Sequence, residues 1–128
     1  MKLQPATLGD AIHVVEAGTF VVSIARHAAG KALVSHAHPN ASANILLRGD
    51  YFEECGKIRK SIAPLTGLIK PAHEPHANRI GKRGARSLVN ETADAHWKHF
   101  EQPALLQNPE LAVLILTAVR EISLAEPS

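Results

Sequence analysis

The residues best equipped for chemistry are histidines. His36-Ala37-His38 forms an H-x-H pair, and His73 and His76 stand together in Pro71-Ala72-His73-Glu74-Pro75-His76. Successive side chains on a strand point to opposite faces, so an H-x-H pair on a strand sets both imidazoles on one side. That arrangement suits a metal, because neutral imidazole is the commonest side chain bound to transition metals and His76 offers a third ligand from a distant segment. Asn40, Ser42 and Asn44 share the parity of His36 and His38, while Ala37, Pro39, Ala41, Ala43 and Ile45 make a small apolar face. Periodicity alone leaves two readings open: a half-buried strand whose polar face meets water, or the polar wall of a pocket in a barrel mouth. Two histidine-rich segments favour strands converging on a site, and still leave metal or solvent.

Other chemistries find less support. Cys55 is the single cysteine of the 128 residues, which excludes an internal disulfide and any cysteine-pair zinc motif and fits a reducing cytoplasm. Glu53 and Glu54 are adjacent, so on a strand they face opposite sides and make no acid/base pair. No nucleophile elbow, phosphate loop or dinucleotide fingerprint is present. Fourteen Lys and Arg against 12 Asp and Glu leave a formal charge of +2, no electrostatic case for nucleic acid or a membrane as bulk partner. Arg79, Lys82, Arg83 and Arg86 cluster around Gly81 and Gly84 without an aromatic residue for stacking, and read as a solvated hairpin. The N-terminus lacks the apolar run of a signal peptide. Leu111 to Leu116 falls far short of the roughly 20 residues that span a bilayer. A soluble, cytoplasmic protein is expected, without membrane contact.

The elements that must position these histidines read as short strands. Thr19 to Ile24 is β-branched and aromatic between Gly18 and Gly30, and Lys31 to His38 follows. Ala43 to Leu47 and Tyr51 to Glu54 flank Arg48-Gly49-Asp50, a hairpin signal. Leu65 to Lys70 runs into Pro71, Asn78 to Arg86 reads as a loop, and Ser87 to Asn90 as a strand. This pattern predicts a sandwich or small barrel. Asn108-Pro109-Glu110 is a helix start, with Asn as N-cap, Pro at the first helical position and an acid facing the dipole. The helix should run to about Ser123 with apolar residues on two sides, one packed on the barrel and one available to a second subunit. The expected organisation is one domain over 1–128, with a barrel over about 12–91 and a helical tail over about 92–124.

The order Gly30, His36-x-His38, Gly49, Pro71-x-His73-x-x-His76 resembles the two motifs of the cupin superfamily, the double-stranded β-helix or jelly-roll barrel. More narrowly, Asn44 to Tyr51, Lys70 to Arg79 and Gly84 to Leu88 look like the N-terminal sensor domain of AraC-type transcription regulators, over about Val14 to Glu121. The resemblance implies an all-β cupin barrel with a C-terminal helical segment, a metal set of His36, His38 and His76, and a small-molecule effector contacted by Asn40, Ser42 and Asn44. It also implies a homodimer, with DNA bound only through a helix-turn-helix domain that this chain lacks, so the chain is expected to be a fragment or a natural short form. The sequence departs from the family pattern twice. Ser42 and Ala43 stand where the family carries a glutamate ligand, which favours zinc or nickel over the iron or manganese of oxygenases. His73 stands where the motif has glycine, as a turn residue tolerant of positive φ or as a fourth ligand. The alternative to a sensor is a standalone metal-dependent cupin enzyme, an isomerase or oxygenase, for which the sequence shows no evident base beyond His73 or Glu74.

Overall fold

The computed structural model describes residues 10–92 and 102–124. Among them are the strands β1 (Asp10–Ala17), β2 (Phe20–His27), β3 (Ala32–His36), β4 (Ala41–Cys55), β5 (Ile58–Ile62), β6 (Gly67–Lys70), β7 (His76–Thr92) and β8 (Ala104–Leu106), then the helix α1 (Pro109–Leu124). All strand pairs are antiparallel, in the path β1-β2-β7-β4-β6-β8, with β3 also on β7 and β5 also on β4.

Two long strands organise the rest. β4 runs along β7 from Ala41 opposite Thr92 to Cys55 opposite His76. The first half of β4 takes β6 on its other edge and the second half takes β5. β7 likewise takes β3 on its first half and β2 on its second. One strand pair therefore belongs to two half-sheets, and bending that pair wraps them around a common interior. The bend falls at register shifts between Leu46 and Arg48 and between Gly49 and Tyr51. Gly49 and Gly84 have φ of 88° and 72° there, and a Cβ on Gly49 would overlap the Gly84 carbonyl oxygen.

This corrects the hairpin expected at Arg48-Gly49-Asp50. Glycine is needed for its backbone freedom, but it bends a continuous strand instead of reversing it. Gly81 and Gly84 likewise lie inside β7, where a loop was expected. The chain reverses at Gly56, whose φ is 58°, between β4 and the charged strand β5 that apolar patterning does not reveal. A second correction concerns the segment expected to be helical over 92–124: β8 adds a strand to β6 before the helix begins.

The helix start is as expected, with the Glu110 N–H donating to Asn108 Oδ1 at 2.9 Å. Ile122 and the neighbouring Val119 pack on Ile24, Ile45 and Leu88 outside the barrel, while Leu46, Tyr51, Ile62, Ile80 and Ala85 make a second cluster. Val113, Leu114, Leu116 and Leu124 of α1 remain exposed. No helix among the described residues is long and apolar enough to cross a membrane.

Candidate metal centre

The three histidines of the cupin-like pattern meet at one end of this interior. β3 places His36 directly opposite His76, the first residue of β7. His38 lies two residues past the end of β3, and its carbonyl accepts the His73 N–H at 2.7 Å, which ties it to the turn preceding β7. Ring centroids are 4.9 Å apart for His36 and His38, 4.2 Å for His36 and His76, and 5.2 Å for His38 and His76. One ring nitrogen from each lies within 4.8 Å of the others.

The hydrogen bonds decide which nitrogens face inward. Nδ1 of His36 lies 2.7 Å from the Val34 carbonyl and Nδ1 of His76 lies 3.1 Å from the Glu74 carbonyl. A carbonyl oxygen only accepts, so both Nδ1 atoms carry the proton and both Nε2 atoms keep a lone pair. That is the outer-shell arrangement that fixes the tautomer of a metal-ligating histidine. The donor set therefore fits a divalent metal.

The surroundings disfavour protonation of His76 and His38. Burial, then the positive charge of Lys70, hold His76 down to about 3, with the Glu74 carbonyl opposing. Burial, then His36 and Lys70, lower His38 as well. The rings border a cavity of about 50 Å3, whose other walls include Lys70, Tyr51, Asn44, Asn78 and Ser87, with Leu33, Ile80 and Val89 as the apolar side. Lys70 Nζ lies 3.6 Å from Glu53 Oε1, with side chains 7% and 0% exposed. Burial pushes Glu53 up to about 7 against the pull of Lys70, pushes Lys70 down, and raises the Tyr51 phenol. The Cys55 thiol is pushed up to about 11 chiefly by burial, and it stands outside the three-histidine group.

Other expectations fare unevenly. Asn44 lines the cavity, whereas Ser42 lines a separate small cavity with Phe20, Ile69 and Asn90. Asn40 lies in the bend before β4, so the parity that joined it to the histidines is broken there. His73 is exposed in a turn with φ of 63° and stands outside the three-histidine group, which corrects its candidacy as fourth ligand. His96 and His99, which stand three apart beside Trp97 and read as local packing on a helical face, lie outside the described residues.

Three residues at the site escaped sequence reasoning. Glu53 was set aside as the neighbour of Glu54, although it shares parity with Tyr51 and Cys55, all buried. Lys70 ends Gly67-Leu68-Ile69, a fully buried strand in which a lysine is out of place, and that was a readable signal. His27 lines the cavity from β2, and its buried Nδ1 has no hydrogen-bond partner among the described residues.

No family model and no curated protein matches the chain. Solved structures do. The DMSP lyase DddQ from Ruegeria pomeroyi is 21% identical with a TM-score of 0.57, over 69% of this chain and 43% of its own. A cupin superfamily protein from Desulfitobacterium hafniense is 17% identical at 0.58, over 73% and 84%. KdgF from Halomonas is 12% identical at 0.59, over 76% and 91%. The chain spans less than half the length of that lyase. At these identities the likeness is one of fold: a cupin jelly-roll barrel, as expected. The narrower likeness to AraC-type sensor domains rests on sequence motifs alone.

Proposed function

We propose that this protein is a metal-dependent cupin that binds and transforms a small molecule at His36, His38 and His76. The observation that carries the reading is the pair of Nδ1–H donations to the Val34 and Glu74 carbonyls, which leave Nε2 lone pairs among three converging rings. A divalent metal, zinc or nickel by the donor set, would keep an open position there and polarise an oxygen of the bound molecule. Asn44, Asn78 and Ser87 orient that molecule, and Leu33, Ile80 and Val89 exclude water. The proton-bearing group that sequence patterning does not reveal is Lys70 on the cavity wall, with the Glu53 carboxyl 3.6 Å behind it. A DMSP lyase among the structural neighbours agrees with an enzymatic role.

The second reading is the effector-sensing domain of an AraC-like regulator, a homodimer whose DNA contacts belong to another domain. The exposed row Val113, Leu114 and Leu116 on α1 favours it, as a surface for association. Turnover separates the two readings: an enzyme consumes its ligand and a sensor returns it unchanged.

The common test is metal analysis of protein purified without an affinity tag, beside His36→Ala and His76→Ala. About one metal per chain in the parent and a loss of most of it in both variants is expected. A parent protein that takes up no zinc, nickel or cobalt overturns the proposal.

A further inference from the structure

We propose that the ammonium of Lys70, held from behind by Glu53, receives the carboxylate of the substrate, so that the three-histidine centre takes small carboxylate anions. The inference rests on the metal reading above and adds a substrate class to it.

Placement comes first. Lys70 ends β6 and lines the cavity with the three histidines, whereas Glu53 is fully buried behind it and lines no part of that cavity. The cavity therefore meets the cation of the pair and not the anion. At 3.6 Å the two ions attract each other without a close hydrogen bond, and neither Glu53 oxygen has a hydrogen-bond partner among the described residues. With Glu53 engaging one side of the ammonium, the remaining N–H donors of Lys70 are left for a ligand. A buried ion pair gives little net stability over an apolar pair of the same volume, so stability does not account for a lysine inside this barrel.

Charge gives the second argument. Three neutral imidazoles bring no negative charge to a divalent metal, and Ser42 and Ala43 supply no carboxylate where the cupin pattern has one. Lys70 and Glu53 cancel each other. An occupied centre thus carries two uncompensated positive charges beside the apolar wall of Leu33, Ile80 and Val89. An anion entering the cavity offsets that charge and meets Lys70 beside the Tyr51 side chain.

Size selects the anion. A cavity of about 50 Å3 has room for a group of a few heavy atoms. A carboxylate is a group of that size.

The experiment is a titration of the cobalt-loaded protein with acetate, formate and inorganic phosphate, followed by the visible absorption of cobalt. The variants are Lys70→Met and, because an unpaired buried Glu53 destabilises the barrel, Lys70→Met with Glu53→Gln, which leaves no buried charge unpaired. Acetate and formate should shift the cobalt bands saturably in the parent, and the double variant should take up cobalt normally yet bind acetate at least tenfold more weakly. Equal acetate affinity in the cobalt-loaded parent and double variant overturns the inference while the metal centre stands. Phosphate binding as tightly as acetate overturns the carboxylate assignment. Failure of the parent to take up cobalt removes the metal reading and this inference with it.

Discussion

His76 sits where every nearby charge opposes its protonation: it is buried, it faces Lys70, and two further imidazoles share its space. A metal competes with protons for imidazole, so lowering the pKa of a ligand widens the pH range over which metal is held. Three unperturbed imidazoles near 6.5 would lose roughly fiftyfold in metal affinity between about pH 7.5 and pH 6. With His76 and His38 both lowered, the loss in this protein should be only a few fold, checked by competition with a chromophoric chelator at each pH. A fiftyfold fall would show that the rings titrate as ordinary surface histidines. In the metal-free protein His76 and Glu53 make stability depend on pH. A histidine whose folded pKa lies below 6.5 binds protons preferentially when unfolded, so His76 removes stability as pH falls from about 6.5 toward 3. Glu53, raised from 4.5 to about 7, binds protons preferentially when folded and adds stability as pH falls across that window. The two slopes oppose each other between about 4.5 and 6.5, and His76 alone continues below it.

At the scale of elements the bend in β4 and β7 matters more than any strand taken singly. Gly49 combines a φ of 88° with a backbone carbonyl where its Cβ would be, whereas Gly18, in the β1–β2 turn, has a φ of 60° and nothing within 4 Å. Gly49→Ala should therefore cost about 3 kcal/mol or more, and Gly18→Ala only about 1 kcal/mol, measured by urea unfolding. Equal costs would mean that the bend tolerates a side chain. The same bend explains what the sequence could and could not reveal. Motif spacing was enough for the cupin barrel and the three-histidine cluster, because Gly30, Gly49 and the histidines are read directly along the chain. Alternation was not enough for Lys70, Glu53 and Tyr51. Bulges on either side of Gly49 shift which parity faces inward, and only the folded register brings Lys70 beside Glu53. The helix start at Asn108 was legible because capping is local chemistry. β8, three residues long, carries no period to detect.

Across the whole molecule, the centre exists only when distant parts of the chain have closed. His36 and His38 arrive with β3 and the segment after it, and His76 with β7. Binding to the folded state alone stabilises it by mass action, about 2.7 kcal/mol at a free metal concentration one hundred times the dissociation constant. Zinc or nickel should accordingly raise the thermal midpoint of the parent protein and leave that of His76→Ala unmoved, read by calorimetry. An identical rise in both would place the bound metal elsewhere. β3 is the strand on which this coupling acts. Its pairing with β7 is interrupted between Leu33 and His36, and Val34 within that gap is 79% exposed. The side chain that ends the strand is also a ligand. Metal would thus serve as a staple across an interrupted seam of the barrel, and the hydrogen-exchange rate of β3 amides becomes a direct gauge of how full the centre is.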